Sequence, residues 1–207
     1  MNVPRVAVID YGMGNVWSVI SALKYLGAEP ELISDPEKIA KSNLLILPGV
    51  GSFKKGMEAL KSRGIDGAIL NAVSQKGSKI LGICLGMQLL AEKGYEGGQV
   101  PGLGVIGGEV VRMDPQSDEE RIPHVGWDDV CVTQSTSLFS DIPNESDFYF
   151  VHSYHFVPVC EDCIIATTPY CGGVVSAVQK NNVFGVQFHP EKSSKSGRKL
   201  LENFLKV

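Results

Sequence analysis

The sequence lacks any long hydrophobic run. Its longest apolar stretches, such as residues 44–47, have the length of a buried strand, whereas a helix that crosses a membrane needs roughly 20 apolar residues. Residues 1–10 also lack the basic region and the apolar stretch of about 7–15 residues that mark a secretory signal. We therefore expect neither a membrane span nor export.

Positive charge is also scarce. The 19 Lys and Arg residues are outnumbered by 23 Asp and Glu residues, which gives a net charge of −4, and no long basic run is present. Proteins that bind nucleic acids usually carry a cluster of positive charge on one face. We therefore expect no nucleic-acid partner.

Cysteine is too infrequent to indicate a disulfide framework. The chain of 207 residues contains five cysteines, an odd number, and 43% of its residues are hydrophobic, as in an ordinary globular core. Free thiols are typical of the reducing cytoplasm. We expect a cytoplasmic protein with free thiols, folded as a single domain over residues 1–207.

Strands and helices alternate through the first half of the chain. The apolar pattern predicts strands at residues 5–10, 30–33, 43–47 and 79–83, and helices at residues 16–26, 36–41, 53–63 and 66–75. Such alternation is typical of a parallel sheet with right-handed crossovers. Residues 48–51, Pro-Gly-Val-Gly, are predicted as an irregular loop because of their glycine content.

The second half changes to short runs rich in β-branched and aromatic residues. They are predicted as hairpins extending the same sheet, at residues 105–113, 129–133, 148–151, 164–168, 174–179 and 183–188. An amphipathic helix closes the chain at residues 194–206. The predicted fold class is α/β, with a mostly parallel central sheet flanked by helices and a C-terminal antiparallel extension.

Gly82-Ile83-Cys84-Leu85-Gly86 directly follows a predicted strand and precedes a predicted helix at residues 87–92. In a nucleophile elbow, small flanking residues allow a strained turn that lifts the nucleophile above the carboxyl edge of the sheet. The N-terminus of the following helix favours a thiolate. The alternative is that Cys84 packs in the core between two glycines, and this motif alone does not decide between the two.

His189-Pro190-Glu191 follows the predicted strand at residues 183–188. Residues two apart in an extended segment point to the same side, and we expect Pro190 to keep this segment from becoming helical. His189 could then act as a base, with Glu191 fixing its tautomer. The alternative is a strand-end histidine beside a solvated glutamate. Combined with the elbow, the pattern favours a Cys84–His189–Glu191 triad.

Other motifs fit poorly. Cys160 and Cys163 precede the His-x-Glu, the reverse of the order in zinc nucleobase deaminases, and together with Cys171 they lack a convincing fourth zinc ligand. The third glycine of a dinucleotide fingerprint beginning at Gly12 falls on Trp17. Residues 48–51 lack the Lys and Ser or Thr of a phosphate loop, so a backbone N–H presented to an oxyanion is the simpler role.

Six segments together resemble the class I (triad) glutamine amidotransferases over nearly the whole chain. They are Ile9-Asp10-Tyr11-Gly12-Met13-Gly14-Asn15, Leu47-Pro48-Gly49-Val50-Gly51-Ser52-Phe53, Gly82-Ile83-Cys84-Leu85-Gly86-Met87-Gln88, Pro123-His124-Val125-Gly126-Trp127, Tyr149-Phe150-Val151-His152-Ser153-Tyr154 and Gly185-Val186-Gln187-Phe188-His189-Pro190-Glu191-Lys192-Ser193. The third and sixth are shared by the whole class. The others resemble the glutaminase subunits of imidazole glycerol phosphate synthase, which act in histidine biosynthesis. The resemblance implies a flavodoxin-like fold.

The resemblance also implies a reaction. Cys84 attacks the side-chain amide of glutamine, ammonia leaves, and water resolves the glutamyl thioester to glutamate. His189 and Glu191 complete the triad, and neither a cofactor nor a metal is needed.

Further site residues are implied by the same resemblance. Backbone groups at Val50, Gly51 and Leu85 would form the oxyanion hole. The residues that would hold the glutamine substrate are Gly49, Gln88, Glu96, Ser153 and Tyr154. For Gln88 the sequence adds an argument, because it follows Cys84 by four residues on a helix and so lies on the same face.

The resemblance further implies a partner. The glutaminase subunits dock on a separate (β/α)₈ cyclase, forming a heterodimer, and the cyclase uses the ammonia on a phosphoribulosyl formimino-carboxamide ribonucleotide. Its products are imidazole glycerol phosphate and aminoimidazole carboxamide ribotide. The docking surface is expected around Asn15, Trp127, Lys192 and residues 48–51, whose backbone we suppose to switch when the cyclase is loaded.

Three alternatives remain open from the sequence. The chain could be a paralogue that supplies ammonia for amidination of surface sugars through a similar barrel. It could be a free-standing cysteine hydrolase of the same fold, which would be fully active alone. It could also be a non-catalytic flavodoxin-like binding module in which Cys84 is a packing residue.

Overall fold

The computed structural model describes residues 3–207, which form two β-sheets and six α-helices. In chain order the elements are β1 (Arg5–Ile9), α1 (Val16–Tyr25), β2 (Glu29–Ile33), α2 (Pro36–Lys41), β3 (Leu44–Gly49), α3 (Phe53–Ser62), α4 (Ile65–Ser74), β4 (Lys79–Cys84), α5 (Leu85–Leu89), β5 (Ala91–Gly94), β6 (Val100–Pro101), β7 (Ile106–Arg112), β8 (His124–Val132), β9 (Ser146–His152), β10 (Tyr154–Pro158), β11 (Ile164–Thr168), β12 (Val174–Lys180), β13 (Val183–Val186) and α6 (Ser194–Phe204). Short 3₁₀ turns lie at Ser137–Phe139, Glu161–Cys163 and Pro190–Lys192.

The larger sheet has nine strands in the order β2-β1-β3-β4-β13-β12-β11-β8-β9. Strands β2, β1, β3, β4 and β13 run parallel, and the strands beyond β13 pair antiparallel. The predicted fold class is therefore confirmed, including its antiparallel extension. The parallel register places Gly49 beside Cys84 and brings the ends of β3, β4 and β13 to one edge of the sheet.

Local signals in the sequence set several element boundaries. Asp35 caps α2 by accepting a hydrogen bond from the backbone N–H of Glu37 at 2.9 Å, and Pro36 occupies the first turn. Gly27 follows α1 with a φ of +78°, the left-handed conformation that commonly ends a helix. These boundaries agree with the predicted ones to within a residue or two.

Helices cover both faces of the parallel strands. On one face, α1 and α6 bury apolar side chains such as Leu23 and Phe204 against Val8 and Ile46. On the other face, α2 to α5 pack against the alternate strand positions, Ile9 and Leu47 among them. Strands β1, β3, β4 and β13 are therefore buried on both sides, which explains their mostly apolar sequences. The edge strand β2 is less buried and carries Glu29 and Glu31.

A second sheet of four strands, β10-β7-β5-β6, packs on the α2–α5 face. Two predictions were wrong here. The strand predicted at residues 105–113 is β7 (Ile106–Arg112), which belongs to this second sheet and does not extend the larger one. The helix predicted at residues 87–92 ends early, because α5 stops at Leu89 and the chain continues as β5 from Ala91. The carbonyls of Leu89 and Leu90 accept backbone hydrogen bonds from residues 103, 105 and 106. This pairing replaces continuation of the helix.

The predicted loop at residues 48–51 was also partly wrong, since β3 continues through Pro48 and Gly49. These two residues pair with Ile83 and Cys84 of β4. On the opposite side, the pairing of β3 with β1 involves only Leu45 and Ile46. The missing N–H of Pro48 therefore interrupts no ladder there. None of the helices within residues 3–207 combines the length and apolar character that crossing a bilayer requires.

Candidate active site

The turn at Cys84 joins β4 directly to α5. Cys84 has φ 52° and ψ −112°, a backbone conformation that a residue with a side chain rarely adopts. Strain of this kind costs about 1–3 kcal/mol and concentrates at functional sites. The predicted elbow is therefore present, and it holds the sulfur at the carboxyl edge of the sheet.

The flanking glycines make room for this turn. A Cβ at Gly86 would overlap the carbonyl oxygen of Leu47, and one at Gly82 would lie 2.6 Å from the carbonyl oxygen of Gly86. Both obstacles are backbone atoms, which cannot move aside as a flexible side chain can. The two small residues of the G-x-C-x-G pattern are thus required by close packing.

His189 and Glu191 form a buried pair beside the elbow. Nδ1 of His189 lies 2.8 Å from Oε1 of Glu191, and each side chain is 2% exposed. Contrary to the expected extended backbone, Pro190–Lys192 is a 3₁₀ turn with Pro190 at its first position, where its fixed φ is compatible with a helical turn. The turn still places the two side chains in contact.

The remaining ring nitrogen of His189, Nε2, is the one available to Cys84. Within residues 3–207 it is buried without a hydrogen bond of ordinary geometry. Burial lowers the pKa of His189, but interactions with Cys84 and Glu191 outweigh burial and raise the pKa to about 10. The imidazolium is therefore favoured when a thiolate and a carboxylate flank it.

A cavity of about 440 Å³ opens over Cys84. Its lining consists of Val50, Gly51, Ser52, Cys84, Leu85, Gln88, Glu96, Pro123, Val151, His152, Ser153 and Tyr154. The structure thus brings the nucleophile candidate together with the expected oxyanion residues and with most of the expected glutamine-binding residues. Gly49 is not part of the lining. It packs against Tyr11 and Leu85, where a Cβ would overlap the Tyr11 hydroxyl.

Gln88 presents only part of its amide to the cavity. Its Nε2 donates hydrogen bonds to the carbonyl oxygen of Tyr154 at 2.7 Å and to Oε1 of Gln187 at 2.9 Å. No hydrogen bond from residues 3–207 occupies its side-chain oxygen. The group that Gln88 can offer to a ligand is therefore an acceptor.

Glu96 and Gly51 lie on the cavity wall next to α3. Oε2 of Glu96 accepts a hydrogen bond at 2.8 Å from the backbone N–H of Phe53, the first residue of α3. This bond holds the carboxylate at the helix N-terminus, where negative charge is favourable. Gly51 has a φ of +111°, a conformation that favours glycine, so its peptide groups can take orientations that most residues cannot.

A pair of histidines, His152 and His124, was not singled out as functional from the sequence. Nδ1 of His152 donates to the carbonyl oxygen of Tyr154 at 2.9 Å, and its Nε2 lies 3.3 Å from Nδ1 of His124. Nε2 of His124 lies 3.3 Å from a carboxylate oxygen of Asp128. Burial lowers the pKa of His152 to about 3, despite the bond to Tyr154. His152 is therefore neutral at neutral pH and fixes the backbone of the cavity wall.

Replacing His152 with glutamine should change how stability depends on pH. The folded pKa of about 3 lies below the ordinary value of 6.5, so the unfolded chain binds an extra proton between these pH values. This contribution to stability is complete above about pH 6.5 and declines on acidification, by up to about 1.4 kcal/mol per pH unit. Urea unfolding of wild type and His152→Gln from pH 6.5 to 4 should give a stability difference that shrinks with acid. A difference independent of pH would contradict this assignment.

The residues expected at a partner surface are exposed on one side of the site. Trp127 is 51% exposed, with its ring edge-to-face to Tyr149 at 6.1 Å. The ammonium of Lys192 lies 5.5 Å from the centre of the same Tyr149 ring. Asn15 is exposed at the start of α1, which contacts the Pro190–Lys192 turn. The three predicted residues therefore lie around the Pro190–Lys192 turn and strand β8.

The remaining cysteines are free thiols. Cys160 is exposed, Cys163 is buried and Cys171 is intermediate. In the part of the chain that the structure describes, no group of three or more His, Cys, Asp or Glu residues is arranged to hold a metal ion.

Comparison with known proteins identifies the family. The sequence model of the family "Glutamine amidotransferase class-I" matches residues 7–207, so the chain belongs to the class I glutamine amidotransferases. It is 42% identical to "Imidazole glycerol phosphate synthase subunit HisH" of Pelagibacter ubique, over 98% of this chain and 100% of that protein. A protein of the same name from Moorella thermoacetica is 46% identical, over 96% of this chain and 93% of that protein. The family resemblance predicted from the sequence is thus confirmed.

Solved structures of more distant proteins share the fold. The crystal structure of a protein described as glutamine amidotransferase has a TM-score of 0.75 and 23% identity, covering 97% of each chain. The structure of PurLQS from Thermotoga maritima has a TM-score of 0.72 and 22% identity, covering 99% of each chain. At these identities the likeness concerns the fold alone.

Proposed function

We propose that this chain is the glutaminase subunit of an imidazole glycerol phosphate synthase, hydrolysing glutamine to glutamate and ammonia. The observation that carries the proposal is the buried Cys84–His189–Glu191 constellation beneath a cavity lined by both polar and apolar groups. The names of relatives that are 42% and 46% identical over nearly the whole chain support the same assignment.

In the proposed mechanism the Cys84 sulfur attacks the amide carbon of glutamine. His189 takes the thiol proton and gives it to the leaving nitrogen, so that ammonia departs and a glutamyl thioester remains. His189 then removes a proton from water, which attacks the thioester. Sulfur leaves with the returned proton, and glutamate is released. Glu191 keeps Nδ1 of the imidazole occupied at 2.8 Å, which leaves Nε2 to carry the proton.

Backbone N–H groups around Val50, Gly51 and Leu85 stabilise the oxyanion that forms at each addition. A single missing donor of this kind costs roughly 10²–10³ in rate. The glycine conformation at Gly51 allows this segment to present its N–H differently in two states. Gating by the partner therefore acts most simply through residues 48–51.

The cavity wall recognises the two ends of the amino acid. The free oxygen of Gln88 and the carboxylate of Glu96 accept hydrogen bonds from the α-ammonium group of glutamine. Ser153 and Tyr154, which also line the cavity, bind the α-carboxylate, and the substrate amide then points toward Cys84. Gly49 supports the site by its close packing against Leu85, beneath the cavity lining.

The ammonia passes to a separate (β/α)₈ cyclase subunit, which makes imidazole glycerol phosphate and aminoimidazole carboxamide ribotide. The cyclase docks on the face that contains Asn15, Trp127 and Lys192. An exposed tryptophan on such a face is typical of an interface anchor. The free thiols support a cytoplasmic location for the complex.

Replacing Trp127 with alanine should weaken binding of the cyclase from the same genome by about 30-fold, since a central tryptophan contributes about 2 kcal/mol or more. Titration calorimetry measures the affinity, and glutamate release measures stimulation by the ribonucleotide-loaded cyclase. We expect wild-type stimulation of about 100-fold or more, as for one restored oxyanion donor.

The matched control is Tyr25→Ala, which removes another exposed aromatic side chain, 74% exposed, at the far end of α1. It should bind the cyclase as wild type does. Full activity without any partner would favour a free-standing hydrolase. Binding without stimulation would point to a different barrel, such as one that amidinates sugars.

A further inference from the structure

Gln187 is a buried polar residue that the proposed mechanism does not use. It follows β13 and lies two residues before His189, and it is 0% exposed. Its backbone N–H donates to the carbonyl oxygen of Ser176 at 2.8 Å. Its side-chain Nε2 lies 3.7 Å from the sulfur of Cys84, within hydrogen-bond distance for sulfur. Such a position at the reacting atom requires an account of what the amide does there.

The orientation of the Gln187 amide follows from its neighbours. The carbonyl oxygen of Tyr154 can only accept, so the group of Gln88 that faces it at 2.7 Å must be the NH₂. The same NH₂ then donates to Gln187 at 2.9 Å, which must present its oxygen. The NH₂ of Gln187 is therefore directed at Cys84.

We infer that Gln187 is a further catalytic residue, which donates an N–H to the Cys84 thiolate and is oriented for this by Gln88 and the Tyr154 carbonyl. The inference rests on the proposed role of Cys84 as nucleophile. The thiol proton goes to Nε2 of His189, while Gln187 keeps both of its protons. When the carbon–sulfur bond forms, the negative charge moves from sulfur to the substrate oxygen and the N–H···S bond weakens.

The groups around the sulfur act in opposite directions. The carbonyl oxygen of Val151, at 3.9 Å, can accept a hydrogen bond only from the neutral thiol. The imidazolium of His189, with Glu191 behind it, favours the thiolate. The Tyr11 hydroxyl is buried nearby, and burial raises its pKa, so it remains uncharged. Among these groups Gln187 is a donor that does not itself titrate.

The test is the pH dependence of Cys84 alkylation by iodoacetamide in the isolated chain. Hydrogen bonds to charged groups contribute enough that Gln187→Leu should shift the midpoint upward by about one pH unit, with alkylation about tenfold slower below it. Peptide mapping separates Cys84 from the other cysteines, and Cys84→Ala gives the background. Gln88→Leu, which frees the Gln187 amide to rotate, should shift the midpoint in the same direction.

The fold control is Ser176→Ala, which removes a buried hydroxyl on β12 that hydrogen-bonds Thr168 and contacts no member of the triad. It should keep the wild-type alkylation profile. If Gln187→Leu fails to fold by circular dichroism, Gln187→Asn retracts the same amide and should give the same upward shift. A wild-type profile in the folded Gln187 variant would overturn the inference. The alkylation test contains no glutamine and so does not depend on the proposed reaction. If the Gln187 variant showed the expected upward shift but the wild-type protein with its cyclase hydrolysed no glutamine, only the proposed function would be rejected.

Discussion

Replacing Cys84 with alanine is expected to reduce partner-stimulated glutamine hydrolysis by roughly 10⁴–10⁶-fold, the loss typical of removing the nucleophile from a catalytic triad. The thioester cannot form without the sulfur. The addition that would create the oxyanion therefore does not occur, and the oxyanion donors have nothing to stabilise. His189→Asn should fall in the same range, because the two residues act as one unit and their effects are not additive. Glutamate release from the purified chain with its cyclase is the measurement.

The control for this prediction is Cys160→Ala, which removes an exposed thiol and should leave the rate within about twofold, as for an ordinary surface substitution. Circular dichroism and cyclase binding check that Cys84→Ala is folded. If the folded Cys84→Ala protein kept a tenth or more of the wild-type rate, Cys84 would not be the nucleophile. The cavity would then need another reacting group.

Replacing Gly86 with alanine is expected to destabilise the chain by about 3 kcal/mol, at the upper end of the usual cost of overpacking. The added Cβ would overlap the carbonyl oxygen of Leu47, a backbone atom of a central strand. Relief requires β3 and α5 to separate, which would also displace Cys84. The urea midpoint of unfolding should fall without a change in its slope.

The matched control is Gly67→Ala, at a helical glycine of α4 where a Cβ would meet no atom within 4 Å. Alanine there should raise stability by about 0.5–1 kcal/mol through its better helix propensity. Equal stability of Gly86→Ala and wild type would show that the elbow tolerates a side chain. The close-packing argument for the G-x-C-x-G pattern would then fail.

The elbow at Cys84 and the contact between His189 and Glu191 could be predicted from the sequence because their signals are local. The elbow needs only two glycines around Cys84 after an apolar strand, and both are required by contacts within or next to that turn. His189 and Glu191 are two residues apart, so their side chains can meet in an extended segment as well as in a tight turn. The contact between the two motifs follows from the parallel pairing of β4 with β13.

The second sheet could not be predicted because its signals are distant. The apolar run that includes Leu89 and Leu90 fits a helix as well as a strand, and its outcome depends on backbone bonds to residues 103–106. The predicted hairpin at residues 105–113 likewise depended on which strand it would meet. The local sequence pattern predicts that a strand is present more reliably than it predicts which other strand will pair with it.

The supporting residues of the site were missed for the same reason. Gln187 lies in a recognised segment, but its contact with Cys84 spans 103 positions of the sequence, and that with Gln88 spans 99. His152 carries no spacing motif that distinguishes it from a core histidine. A signal was present in Gln187 itself, two residues before His189, since a buried strand end seldom contains glutamine without a partner.

The most direct test of the central claim is the site of irreversible labelling by a chloroketone analogue of glutamine. This reagent requires both a reactive thiolate and a pocket that recognises the amino-acid end. The account predicts one equivalent of label on Cys84, protection by glutamine, and little reaction at Cys160 although that thiol is exposed. Labelling that begins at Cys160 and is unaffected by glutamine would contradict it.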